Sequence, residues 1–250
     1  MTEQRVGQVR EVTSLSNPLV KDIKALALKK FRDSQNAFLA EGLKLVIDAH
    51  GLGGTVLEVS EKVLSAITRR DNPQMVVGVF SQRYGALKDI RPTGSDVWVA
   101  LDRVRDPGNL GTVIRTIDAV GAKGVILIGE ATDPFSIETV RATMGSIFAV
   151  PVVKATPDAF LAWRKTFPGL VAGTHLKGAV DYRSLDYADR PVLLLMGNEQ
   201  QGLPDALAEA CDRLLRIPQA GRADSLNLAV ATGVMLFEIR RSALKLEDGA

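Results

Sequence analysis

Asn109, Arg115, Glu199, Ser225 and Asn227 are polar side chains set where apolar runs give way to loops rich in glycine and polar residues. Glu199 lies in MGNEQQGL, just past the apolar run Val192 to Leu195. An acid at the tip of such a strand packs poorly unless it has something to bind. Asn109 and Arg115 belong to DRVRDPGNLG and the helix it opens, where Gly108 and Gly111 allow tight turns and Asn109 can cap. Ser225 and Asn227 sit in IPQAGRADSLNLAV, between a strand stopped by Pro218 and a helix read from about Ser225. Ser225 is the expected N-cap of that helix. In α/β sheets ligands bind beyond the carboxyl ends of strands, so three such loops outline a ligand site. Taken singly, each loop is equally well a capped helix, and only the three together are specific.

Several other chemistries find no equipment here. The sequence has no GxxxxGK[ST] phosphate loop and no GxGxxG after the first strand of its second half. Two histidines and one cysteine do not make a zinc site of conventional spacing, so no metal is expected. His175 follows a strand and argues weakly for a hydrolytic triad. Cys211 has no partner for an internal disulfide and reads as an inert thiol.

The elements that would hold these loops alternate. Asn17-Pro18 opens a helix through about Lys30, Phe38 starts a strand, and a Glu41-Gly42 turn leads to a helix ending at His50. Val56 to Val59, Glu61 to Arg69 and Met75 to Phe80 follow as strand, helix and strand, a small α/β unit. Asp89 to Ser95, DIRPTGS, reads as a linker, so residues 1–90 form one domain, 91–96 the connection and 97–250 the second domain. There, apolar runs at Trp98 to Leu101, Val125 to Ile128, Val150 to Val153, Leu170 to Thr174, Val192 to Met196 and Leu214 to Ile217 alternate with helical stretches. Such spacing predicts a mainly parallel sheet with helices on both faces. In the last helix Leu226, Ala229, Val230, Gly233, Val234, Phe237 and Arg241 fall on one face, read as the core-facing stripe.

At 250 residues with 46% hydrophobic and 24% charged residues, the composition is that of a globular protein with a sizeable core. No apolar run reaches the length of a membrane span and no signal sequence is evident, so the cytoplasm is the expected compartment. Residues 1–94 carry 14 Lys and Arg against 10 Asp and Glu, the remainder 17 against 19. This mild basic bias of the first third favours an anionic partner, nucleic acid foremost.

Three motifs, in this order, resemble those of the SpoU (TrmH-like) RNA ribose 2′-O-methyltransferases of the SPOUT superfamily. They are NLGTVIRTIDAVG at Asn109 to Gly121, LLMGNEQQGL at Leu194 to Leu203, and IPQAGRADSLNLAVA at Ile217 to Ala231. The first 90 residues, with SLSNPLVKDIK at Ser14 and FLAEGLKLV at Phe38, are similar to the ribosomal-protein-like substrate-binding domain that many members carry.

The resemblance implies a C-terminal trefoil knot, an exception to ordinary topology, and a homodimer formed through that domain. It implies S-adenosyl-L-methionine as cofactor, lying against Thr174, Gly197, Ile217 and Leu226. It also implies that Arg115, Asn109, Glu199, Ser225 and Asn227 form the catalytic set. Arg115 suits holding the phosphate beside the target ribose and stabilising a developing alkoxide better than it suits a general base, because guanidinium stays protonated. Glu199 is expected to orient Arg115 or accept a proton. The implied substrate is structured RNA, with ribosomal RNA favoured and transfer RNA the alternative. A non-catalytic RNA-binding assembly factor with the same fold is the competing class, and base methylation belongs to other SPOUT branches.

Overall fold

The computed structural model describes residues 9–42, 56–73, 76–175, 180–222 and 225–246. Its centre is a seven-stranded sheet in the order β7-β6-β5-β10-β8-β11-β9, with every pairing parallel. In chain order these strands are β5 (Val97–Asp102), β6 (Gly124–Ile128), β7 (Val152–Ala155), β8 (Leu170–Thr174), β9 (Val180–Asp181), β10 (Val192–Met196) and β11 (Arg213–Arg216).

The strands read as continuous apolar runs because both faces of the sheet are covered. Val97, Val99, Leu101, Leu194 and Met196 point into one core with Leu110, Ile114 and Ile117 of α4 (Pro107–Ala119) and Met235 and Leu236 of α8 (Leu228–Ile239). Trp98, Ala100, Leu193 and Leu195 point into the other, against Phe160 of α6 (Pro157–Arg164) and Leu207 of α7 (Asp205–Glu209). Leu194 and Leu195 are fully buried, and truncating either to alanine would cost about 2–5 kcal/mol. Between β6 and β7, α5 (Ile137–Ala142) packs closely on α4. Gly111 permits this approach, since a Cβ there would lie 2.4 Å from the Ala142 Cβ and 2.6 Å from the Thr139 carbonyl oxygen.

The preceding residues form a smaller α/β unit. Its described strands are β1 (Val9–Val12) parallel to β3 (Val56–Val59), and β2 (Ala37–Glu41) antiparallel to β4 (Val77–Ser81). The helix expected from Asn17 to Lys30 is two helices, α1 (Pro18–Ala25) and α2 (Lys29–Gln35), with α3 (Glu61–Thr68) following β3. The break falls at Leu28, which is extended, and the turn is held by Arg32, whose Nη1 donates to the Leu26 carbonyl at 2.7 Å. The second half of the expected FLAEGLKLVIDAH unit lies outside the described residues.

The two units share a packed interface. Phe38 stacks at 4.7 Å on Phe135, and Phe80 meets Phe148 edge-on at 4.8 Å. Two charge pairs cross it: Arg32 donates from Nε and Nη2 to Asp133 Oδ2 at 3.0 and 2.7 Å, and Arg141 does the same to Glu41 Oε2. The stretch just before the proposed linker already belongs to the large sheet's packing: the Gly85 amide donates to the Val152 carbonyl, and Ile90 joins the second core. Among the described residues no helix is long and apolar enough to cross a membrane.

Candidate active site

Four neighbouring strands, β5, β10, β8 and β11, run parallel, so their carboxyl ends form one rim. The polar residues collect at its β5–β10 side. Asn227 donates through Nδ2 to Asn109 Oδ1 at 2.9 Å, and Asn109 donates through its own Nδ2 to Glu199 Oε1 at 3.2 Å. This chain joins all three motif loops, and each link depends on how its helix begins.

Helix α4 starts two residues before the expected Asn109. Pro107, which has no amide hydrogen to satisfy and a φ already suited to a helix, fills the first turn. Asp106 is the N-cap, its Oδ1 accepting from the Asn109 amide at 2.6 Å. Asn109 is therefore not the cap, and its side chain is released to face Glu199 and Asn227. At the other helix Asn227, not Ser225, is the N-cap: its Oδ1 accepts from the amides of Ala229 and Val230 at 2.9 and 3.3 Å.

Ser225 is exposed and stands outside the hydrogen-bonded chain. Arg115 is exposed on α4, six residues and about 9 Å along the helix from Asn109. Among the described residues it has neither an ion pair nor a hydrogen bond. The structure does not pair Glu199 with Arg115; Glu199 holds Asn109 instead.

Sequence reasoning passed over the group behind Glu199. Asp102, at the end of β5, is buried, and desolvation raises its pKa against the opposing pull of Arg103. Arg103 donates from Nε to Asp102 Oδ2 at 2.9 Å and from Nη1 to Gln201 Oε1 at 3.2 Å. Its backbone is left-handed, with φ of 46°, uncommon for a side chain of this size. The Arg103 carbonyl accepts from Asn198 Nδ2 at 2.9 Å, and Asn198 Oδ1 in turn accepts the Gln200 amide. The DRV triplet gave no sign of this, because a left-handed turn is signalled by Gly or Asn, not Arg.

Three of the expected cofactor residues sit on the same rim, from β10 across to β11, and Leu226 comes one residue before the Asn227 cap. Thr174, Gly197 and Ile217 end or follow β8, β10 and β11, three adjacent strands, and Thr174 Oγ1 donates to Met196 Sδ at 3.5 Å. Leu226 is 38% exposed and Ile217 half-buried, so both leave apolar surface accessible. That combination fits a flat, apolar adenosyl group with few charges. Gly197 has a second reason to be glycine: a Cβ there would lie 2.2 Å from Gly202 C and 2.3 Å from Leu203 N, inside its own loop.

One expectation about α8 holds only in part: Ala229 is buried as expected. The buried face of the helix is Leu228, Ala229, Thr232, Met235, Leu236 and Ile239, whereas Val230 and Phe237 of the expected core stripe are 53% and 54% exposed. The helix is apolar nearly all round, so spacing alone could not choose the face.

The model of the SpoU rRNA methylase family matches residues 96–237, and that of the MRM3-like substrate binding domain matches residues 17–54. The chain belongs to the SpoU rRNA methylase family. It is 33% identical to the 23S rRNA (guanosine(2553)-2′-O)-methyltransferase RlmP of Bacillus subtilis, over 93% of this chain and 100% of that protein. Among solved structures it is similar to the AdoMet-bound rRNA methyltransferase from Sinorhizobium meliloti, with 60% identity, a TM-score of 0.93 and coverage of 96% of this chain and 100% of that one. The SpoU methyltransferase AviRb from Streptomyces viridochromogenes, in complex with AdoMet, is 29% identical with a TM-score of 0.81, over 91% of this chain and 98% of that one. The family implied by the three motifs is thus the family of the chain, and the mainly parallel α/β sheet expected from the strand–helix alternation is the sheet observed.

Proposed function

We propose that this protein transfers a methyl group from S-adenosyl-L-methionine to a ribose 2′-hydroxyl of ribosomal RNA. The observation that carries this reading is the Asn227–Asn109–Glu199 chain at the β5–β10 rim, on the sheet edge where β10, β8 and β11 also end. Thr174, Gly197, Ile217 and Leu226 hold the cofactor, which supplies an electrophilic methyl on a sulfonium. Accepting that methyl would require the ribose hydroxyl to give up its proton. Asn109 fixes the Glu199 carboxylate to receive or direct that proton. Arg115, free of intramolecular partners among the described residues, is available to hold a phosphate and stabilise the developing alkoxide. Ser225 and Asn227 line the approach to the ribose. A 2′-hydroxyl is what separates RNA from DNA at a single site, so this chemistry needs little base recognition.

Residues 1–90 dock the RNA, 91–96 connect, and 97–250 carry the reaction, as a homodimer in the cytoplasm. A helix apolar nearly all round calls for burial on most of its surface, yet α8 presents Val230 and Phe237 outward, with Leu226 before it. A second copy of the chain covering that stripe accounts for it. The trefoil knot belongs to the same reading: α8 follows β11 but packs back against α4 and β10, across the sheet.

The test is transfer of labelled methyl from S-adenosylmethionine to total RNA from a strain lacking the protein, followed by size fractionation and alkali digestion. Label in alkali-resistant dinucleotides of large ribosomal RNA is the expected result. Label in small RNA moves the target to transfer RNA, and label in alkali-sensitive mononucleotides overturns ribose methylation. No label on RNA or ribosomal particles, with cofactor binding intact, favours an assembly factor.

A further inference from the structure

The loop from Gly197 to Gly202 carries Glu199, but little of what holds it comes from the strand before it. Asn198 and Gly202 exchange backbone hydrogen bonds at 3.2 and 2.9 Å, closing the loop on itself. Besides the Asn109–Glu199 hydrogen bond, Arg103 ties the closed loop to the neighbouring strand end. Its carbonyl takes the Asn198 side chain and its guanidinium takes the Gln201 side chain, on either side of Glu199. The guanidinium is itself aimed by Nε and Nη2, both 2.9 Å from the buried Asp102 carboxylate. A planar fork with several donors in fixed directions can meet an acid on one side and an amide oxygen on another at once. Lysine cannot.

We propose that Arg103 is a positioning residue, acting on the reaction through Glu199 by fixing the 197–202 loop, with Asp102 and Gln201 as the two ends of its brace. The inference rests on the methyl-transfer reading only for its kinetic consequence; the bracing is a property of the loop.

Arg103→Lys keeps a cation beside Asp102, so no buried carboxylate is stranded, but cannot also reach Gln201. Gln201→Ala cuts that arm alone. Hydrogen exchange followed by mass spectrometry should show the Gln200 and Gly202 amides exchanging roughly tenfold faster in Arg103→Lys, with the strands unchanged. In methyl transfer, kcat should fall about tenfold in Arg103→Lys and less in Gln201→Ala, with KM for RNA and its salt dependence unchanged. In a Glu199→Gln background the Arg103→Lys change should have almost no further effect, because both act at one point. Unchanged loop exchange overturns the brace. Factors that multiply in the double variant, or a Glu199→Gln enzyme as active as the native one, overturn the route through Glu199. A raised RNA KM with altered salt dependence would make Arg103 a phosphate contact instead. Should the native protein methylate no RNA, faster loop exchange in Arg103→Lys would still uphold the brace while the methyl-transfer reading fell.

Discussion

Asn227 uses both ends of one amide: its Nδ2 donates to Asn109 Oδ1 at 2.9 Å, and its Oδ1 accepts the amides of Ala229 and Val230 that open α8. The last motif is thereby fastened to the first, and the fold's final helix to the polar centre of the site. Because the two ends do different jobs, they separate by substitution.

In Asn227→Asp the oxygen that caps α8 remains while the donor to Asn109 is lost. Thermal stability should stay near native and methyl transfer should fall at least about tenfold. In Asn227→Ala both are lost, and about 1 kcal/mol of stability goes with them. Thermal unfolding and initial rates on the two variants read the two functions independently.

Arg115→Ala should abolish transfer, by about 100-fold or more in kcat, while leaving cofactor affinity within about threefold. The side chain is exposed and has no intramolecular partner among the described residues, so melting should barely shift. Weakened cofactor binding by calorimetry in this variant would remove Arg115 from the substrate side.

Gly197 and Leu226 should both affect cofactor binding, for different reasons. Gly197→Val forces a side chain against Gly202 and Leu203, so it should lower both the melting temperature and cofactor affinity. Leu226→Ala removes partly exposed apolar surface and should weaken cofactor binding severalfold with little change in stability. Titration of the cofactor alongside thermal melts separates loop damage from slot damage.

The outward stripe of α8 predicts oligomeric state. Phe237→Glu with Val230→Asp should convert a dimer to a monomer by light scattering. These side chains are exposed within one chain, so the monomer should stay folded. A double variant that remains a dimer would place the interface elsewhere.

Cys211 gives the pH dependence. Burial pushes its thiol up to about 12, so the folded protein holds the proton well above the ordinary thiol range. Its contribution to stability is complete below the unfolded thiol pKa, near 8.5, and is lost as pH climbs from there towards 12. A thiol reagent at pH 8 should label the native protein slowly and the unfolded chain at once, and Cys211→Ala should flatten the alkaline end of the stability curve.

What could be read from the sequence follows from what buries each element. Leu170–Thr174 and Val192–Met196 are strands with the bounds expected, because strands covered on both faces are unbroken apolar runs. Val9–Val12 and Val180–Asp181 escaped notice, being short and mixed with charge. The membership of Asn109, Glu199 and Asn227 in one cluster was legible through the motifs. Their hydrogen-bond order was not, since it turns on Pro107 and Asp106 starting α4 early and freeing the Asn109 side chain. Arg103 and Asn198 were invisible because what they contribute is long-range: a carbonyl, a left-handed turn and a fork meeting a loop nearly a hundred residues away.

The paired arginines between the two units have a consequence of their own. Arg32 and Asp133 are almost wholly buried, and Arg141 binds both Glu41 and the Thr68 carbonyl, so parting the halves would break both charge pairs and the Arg141–Thr68 hydrogen bond together. A molecule fastened in this way is a caliper with a locked jaw. On the proposed reading, the span from the RNA-docking unit to the Asn227–Asn109–Glu199 cluster is set when the chain folds. Which nucleotide is modified then becomes a matter of which one a folded RNA presents at that fixed span.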